Sequence, residues 1–235
     1  MARLPRLYAP SVPQLVEARF AHPLARASDP TPADELDALL AMLEREAREC
    51  KVSLHAWLLL NDRITLLATP PDERSMPRLV QALGRRIAAA SAGGRVFAGR
   101  YRSALVEPGS WVLPAMVWLE SLPAQLHYVD RAESWPWSSA QEHVGRGAGT
   151  LLRDHHDYWA DGNTPFARQA RYRDRLAQGL PPADAQRIQN ALFGQWAVGG
   201  ADFLAHLATR ASRRVAPAPR GRPRKAGAGQ APSRA

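Results

Sequence analysis

Cysteine is nearly absent from this 235-residue chain, where Cys50 stands alone. That excludes an intrachain disulfide and any zinc site built from clustered thiolates. It fits a reducing, cytoplasmic setting. Lysine is scarce too, at Lys51 and Lys225 only, so arginine carries the basic chemistry. No apolar run reaches the ~18 residues that span a bilayer. The longest candidate, 58–69, is interrupted by Asn61, Asp62 and Arg63, so no membrane partner is expected. The opening Met-Ala-Arg-Leu-Pro-Arg lacks the apolar stretch of a secretory signal. Carboxylates are missing from two stretches. Residues 74–102 carry seven arginines and no acid, and residues 210–235 carry eight basic residues and no acid.

The charge that is present is unevenly placed. The net charge is +9, yet outside 210–235 the chain has 23 basic against 22 acidic residues. Arginine-rich coding explains Arg over Lys, but not the clustering. Clustered arginine without neighbouring acids points to an anionic partner, nucleic acid first. Hydrophobic residues make up 46% of the chain, enough for a packed core.

Residues 14–20 read as a strand. Thr31-Pro32-Ala33-Asp34 has the form of a helix start, and Leu36, Leu39, Leu40, Leu43 and Ala47 carry that helix to about Glu49 by their spacing. The apolar runs 52–60 and 64–69 predict two antiparallel strands joined by a tight turn. Ser75 opens a second helix to about Ala92, with Met76, Leu79, Val80, Leu83 and Ile87 on one arc. Residues 95–106 read as a further strand, and 110–122 as a third helix. Residues 145–149 form a glycine-rich linker. Helical patterns follow at 165–177, 183–194 and 201–212. Beyond Val215 the composition cannot bury a core. This order predicts an α+β fold with an antiparallel sheet and helices on one face.

Several motifs now fall into line. Ser53-Leu54-His55-Ala56-Trp57 and Leu66-Leu67-Ala68-Thr69-Pro70 resemble the paired central strands of the REP-associated tyrosine transposases, single-tyrosine members of the HUH transposase superfamily. Leu83-Gly84-Arg85-Arg86 resembles that family's basic helix, and Gly99-Arg100-Tyr101-Arg102-Ser103 its Gly-Arg-Phe-Lys-type strand. The stretch from Trp111 to Glu120, then Pro123, then Trp135-Pro136-Trp137-Ser138-Ser139 keeps the spacing of its Tyr-Ile-Glu-x-Asn-Pro helix and Tyr-Pro-Trp-Ser-Ser turn. Gln195-Trp196-Ala197-Val198-Gly199 and Arg220-Gly221-Arg222-Pro223-Arg224-Lys225 are similar to its C-terminal segments. The resemblance implies a ferredoxin-like sheet with helices on one face, followed by a helical C-terminal extension and a disordered basic tail. It divides the chain into a DNA-binding domain at 1–145, the extension at 146–212 and the tail at 213–235. It also implies cleavage and rejoining of single-stranded DNA beside hairpins. In that chemistry a His-hydrophobic-His strand holds a divalent metal such as Mg or Mn, and a helix-borne tyrosine attacks the phosphate.

The chain departs from that pattern at the reacting positions. The two histidine positions fall on Arg63 and Thr65, and the tyrosine position on Trp118. A guanidinium repels a cation, and indole has no hydroxyl with which to attack. The nearby Asn position is Leu122. No catalytic residue is therefore intact and no metal or other cofactor is expected. Arg63 is either a phosphate partner or a solvated turn residue; Trp118 either stacks on a base or lies in the core. Tyr101 and Tyr128 are the substitute nucleophiles to weigh. His155 and His156 are read as surface residues, because adjacent residues diverge on a helix or a strand. Glu120 matches a family position but is given no metal.

The expected DNA contacts are Arg78, Arg85, Arg86, Arg100 and Arg102 in the body, and Arg220, Arg222, Arg224 and Lys225 in the tail. The tail's Arg-Gly-Arg-Pro resembles a core that enters A·T-rich minor grooves. The expected function is a transposase-family protein that recognises hairpin-forming or single-stranded DNA, with cleavage lost. An active enzyme with substitute residues, or a decayed frame without a selected function, are the alternatives. Nothing in the sequence decides the oligomeric state.

Overall fold

The computed structural model describes residues 5–24, 32–90 and 94–217. Its first six elements are β1 (Gln14–Arg19), α1 (Ala33–Glu49), β2 (Ser53–Leu60), β3 (Arg63–Thr69), α2 (Ser75–Ala90) and β4 (Arg102–Val106). The four strands lie antiparallel in the order β2-β3-β1-β4, the ferredoxin-like arrangement. A fifth short strand, β5 (Ala197–Val198), joins β4 in parallel. Asn61 and Asp62 alone connect β2 to β3, a two-residue hairpin turn.

Strand periodicity sorts the side chains between two faces. Val16, Ala18 and Phe20 point one way, with Ile64 and Leu66 beside them in register. Phe20 stacks on Phe97 with centroids 5.7 Å apart, and Phe97 lies against Gly84 of α2. A Cβ at Gly84 would come within 3.1 Å of that ring, so the small residue sets the approach of α2 to the sheet. α1 packs beside α2, and these two helices cover this face. Leu15, Glu17, Arg19, Arg63, Thr65 and Arg102 belong to the other face.

The chain beyond β4 covers that second face. Its elements are α3 (Val112–Glu120), α4 (Leu122–Gln125), a 3-10 turn at Ala132–Ser134, α5 (Ala140–His143), α6 (His156–Ala160), α7 (Pro165–Gln178), α8 (Pro182–Gly194) and α9 (Ala201–Ala208). α3 packs on β2 and β3, α8 on β4 and β1, and the two helices touch. The free edge of β2 is capped by an extended segment. Leu59 N donates to Trp137 O and Ser139 N to Trp57 O, while Trp135 Nε1 donates to Leu59 O. Covering this edge removes unpaired backbone groups that would otherwise invite another strand.

The expected strand at 95–106 is shorter than its apolar pattern suggests. Residues 94–101 form a loop with one isolated bridge, Phe97 to Phe20, and the strand begins at Arg102. The last helix ends at Ala208 rather than 212. The tail boundary shifts too. Val215 is buried and its carbonyl accepts from Ala197 N, while Arg213 Nη2 donates to Gln195 O. Residues 213–217 thus pack against β5 and α9; residues 218–235 lie outside the described ones.

One carboxylate ties the added helices to the sheet. Glu120, at the end of α3, is wholly buried. It receives Ser139 Oγ from the segment capping β2, His143 Nδ1 from α5 at 2.7 Å, and Tyr172 Oη from α7 at 2.7 Å. Burial works against a charged His143, but the adjacent Glu120 outweighs it and raises the imidazole pKa. The same burial, with Glu120 alongside, holds the Tyr172 phenol well above its usual value.

Replacing Glu120 by Leu strands these donors, and a loss of about 3–5 kcal/mol is expected in urea unfolding. The His143 contribution is fully present below the unfolded histidine value of ~6.5 and is lost as pH rises through the raised folded value. The urea midpoint is therefore expected to fall as pH rises above about 6.5. His143→Gln should flatten that limb; an unchanged slope in the variant would mean that Glu120 and His143 are not an ion pair.

Candidate nucleic-acid interface

The positions that the resemblance assigns to chemistry lie on the α3 and α8 face. Arg63 and Thr65 alternate correctly on β3 to share it. Arg63 is bound within the protein. Its Nε and Nη2 donate to the two oxygens of Asp62 at 2.9 and 2.7 Å, and Nη1 lies 3.4 Å from Glu17 Oε2. Burial disfavours its charge, but Asp62 and Glu17 outweigh that and raise its pKa. Glu17 is buried between three guanidinium groups, with Arg19 Nε at 2.8 Å and Arg102 Nη1 at 3.9 Å completing the set. Phe193 of α8 lies under Arg102, 4.4 Å from its guanidinium carbon, and near Arg19 at 6.0 Å.

This donor set does not fit a divalent metal. Three cations surround the buried carboxylate of Glu17, and Thr65 is wholly buried with no hydrogen-bond partner for Oγ1 among the described residues. In this structure Arg63 is an internal ion-pair residue rather than a solvated one. Trp118 is buried in the main core cluster. Tyr101 is buried beneath Arg6, and burial raises its pKa despite the two nearby arginines. Tyr128 is exposed and stacks on Trp135 at 5.5 Å.

The basic surface lies elsewhere, on the α2 side of the sheet. A groove of about 580 Å³ runs between α2 and the loop leading into β4. Arg85 from α2, Arg100 from the loop and Arg6 from the N-terminal segment line it, with Gln81, Phe97, Gly99 and Tyr101. No carboxylate is among its lining residues. Arg85 and Arg100 are exposed. Arg6 lies 3.5 Å over the Tyr101 ring and its Nη2 donates to Tyr101 O at 3.1 Å, which fixes its head at the groove wall. A Cβ at Gly99 would meet nothing within 4 Å, so the backbone there is open to an approaching ligand. Arg78 is exposed two helical turns before Arg85, on the same stripe of α2.

Of the five arginines expected in the body, the structure brings Arg85 and Arg100 together at the groove, with Arg78 exposed on the same stripe of α2 but outside the lining. It separates two. Arg86 turns to the buried Glu46 of α1 and joins the two helices. Arg102 points to the opposite face, onto Glu17 and Phe193. Arg6 was missed, because an isolated arginine near the start of the chain carries no pattern; its partner Tyr101 is 95 residues away. Arg220, Arg222, Arg224 and Lys225 lie outside the described residues.

The expectation that His155 and His156 both lie on the surface is corrected for His155. It is buried, with its ring edge-on to His55 at 4.9 Å. Burial, followed by His55, lowers its pKa to about 4.

No family model matches the sequence, and no curated protein matches it. Among solved structures, the chain is similar to a REP-associated tyrosine transposase bound to a REP hairpin, at 12% identity over 67% of this chain and 93% of that one, with a TM-score of 0.51. The likeness is one of fold. It is also similar to a candidate transposase from Deinococcus radiodurans R1, at 19% identity over 55% of this chain and 94% of that one, but a TM-score of 0.34 is too loose to carry weight. Among the described residues no helix is long and apolar enough to cross a membrane.

The two groups of arginines should separate in stability measurements. Arg86→Ala leaves buried Glu46 without its cation and is expected to cost about 1–3 kcal/mol in urea unfolding. Arg78→Ala and Arg85→Ala should each stay within about 0.5 kcal/mol of wild type. Equal losses for all three would mean that the α2 stripe is part of the packing.

Proposed function

We propose that the chain is a transposase-family DNA-binding protein that recognises hairpin-forming or single-stranded DNA and has lost the cleavage chemistry. The observation that carries this reading is the acid-free groove of Arg6, Arg85 and Arg100. It sits on a fold shared with a transposase whose structure contains a REP hairpin. Phosphate contacts from such arginines hold a nucleic acid in register without reading its bases. Phe97 supplies apolar surface along the same wall.

The loss of cleavage rests on three positions at once. A metal-assisted attack needs a cation held at the phosphate and a nucleophile beside it. Arg63 and Thr65 offer no metal donors in the required form, and Trp118 is a buried indole. The spare tyrosines do not repair this. Tyr101 is enclosed, and Tyr128 is occupied in an aromatic stack. The tail adds attraction for DNA through Arg220, Arg222, Arg224 and Lys225, with the Arg-Gly-Arg-Pro core suited to an A·T-rich minor groove.

Substituting Arg85 and Arg100 together by Ala is expected to weaken binding to a hairpin oligonucleotide and to make the slope of log affinity against log salt shallower by about 2. The thermal melt should be unchanged. Wild-type affinity in the double variant would refute the groove as the interface. Incubation of the wild type with a hairpin-bearing single strand and magnesium or manganese should yield no covalent adduct on a denaturing gel; an adduct would identify a working nucleophile and overturn the loss of cleavage.

A further inference from the structure

We propose that His155, His156 and Asp157 form a binding site for a zinc-class divalent cation, independent of the DNA reading above. These three residues are consecutive, yet they offer one ligand atom each within 4.8 Å of one another. Adjacent side chains diverge within a helix or a strand, but this triplet occupies the corner between the two. His155 is extended, at φ −74° and ψ 151°, and α6 begins at the next residue. The bend turns His155 and Asp157 towards each other. His155 Nδ1 lies 3.5 Å from Asp157 Oδ2, and His156 Nε2 lies 2.7 Å from Asp157 Oδ1.

Two of the three groups are already held. Asp157 is buried and its Oδ2 accepts from Gly109 N at 2.7 Å. His155 is buried against His55, whose own nitrogens are engaged by Arg153 O at 2.6 Å and Thr69 Oγ1 at 2.8 Å. Supporting contacts of this kind fix ligand orientation in metal sites. The third group is free to close, because the His156 side chain is 71% exposed. His155 Nδ1 also caps α6 by accepting from Asp157 N, but that bond is long at 3.2 Å, and a cation would replace it.

The donor set selects the cation. Two imidazoles and one carboxylate match zinc sites that leave a fourth position open, whereas magnesium and calcium favour oxygen ligands. Zinc ligands about 2.0–2.2 Å from the ion stand roughly 3.4 Å apart in a tetrahedron, so the triplet needs only small shifts. The site is separate from the strand positions at which the resemblance implies a metal. His155 packs on His55 of β2, whose Nε2 lies 2.8 Å from Thr69 Oγ1 of β3, four residues beyond Thr65, or about 13 Å along the strand.

The test is a titration of the untagged full chain with zinc, and with cobalt(II) as the spectroscopic probe. One zinc per chain is expected, with the visible bands of low-symmetry cobalt displaced by zinc. His156→Ala should weaken binding at least about 10-fold, since even supporting residues cost that much. The variant is expected to fold, because the ring it removes is exposed. His206→Ala, which removes an exposed histidine of α9, should bind as wild type does. Absence of stoichiometric zinc binding by the wild type, or unchanged affinity in His156→Ala, would overturn the proposal. An equal loss in His206→Ala would overturn it as well, by placing the cation elsewhere.

Discussion

The buried carboxylate of Glu120 is the constraint on which the outer half of this protein depends. A carboxylate removed from water must be paired or heavily hydrogen-bonded. Here three donors arrive from three separate segments, Ser139, His143 and Tyr172. Ser139 also accepts from Trp57 N on β2, so the same group that satisfies Glu120 seals the sheet edge. Through these bonds α3, α5 and α7 are tied to β2. A purely apolar interface would tolerate sliding among these helices, whereas this network fixes the one arrangement in which Ser139 Oγ, His143 Nδ1 and Tyr172 Oη all reach the carboxylate.

The sheet keeps two kinds of arginine apart on its two faces. On the α3 and α8 side, Arg19, Arg63 and Arg102 close around the buried Glu17, and Asp62 is a second acidic partner of Arg63. On the α2 side, Arg85 and Arg100 face a groove free of acids, with Arg6 fixed on Tyr101. The first arrangement stabilises a surface that resemblance would make catalytic. The second leaves positive charge available to an anionic ligand. Burial and pairing, not the number of arginines, distinguish them.

Much of this architecture was legible in the sequence. Apolar spacing located α1, α2 and the β2–β3 hairpin, because each element has one strongly patterned face or two apolar ones. The order of elements then implied an antiparallel sheet with helices on one face, and the resemblance its ferredoxin-like form. Other features depend on contacts between distant segments. The apolar residues at 95–101 read as strand, yet they lie in a loop that meets the end of β1 at one isolated bridge, Phe97 to Phe20. Arg86 and Arg102 sit in basic runs like Arg85 and Arg100, and only their partners, Glu46 on α1 and Glu17 on β1, distinguish them from the groove arginines. Val215 follows a Ser-Arg-Arg stretch that looks solvated, but β5 needs a backbone acceptor for Ala197 and the chain supplies one there. His155 and His156 escaped a rule that holds inside helices and strands but not at the corner between them.

The most direct test of the groove as the DNA interface is to map where DNA touches the protein. A hairpin oligonucleotide carrying a photoreactive base can be cross-linked to the full chain and the linked peptides identified by mass spectrometry. Cross-links are expected in the segments around Arg6, Arg85 and Arg100. Cross-links confined to the α3 and α8 face, around Arg19, Arg63 and Phe193, would contradict the assignment of DNA to the α2 side.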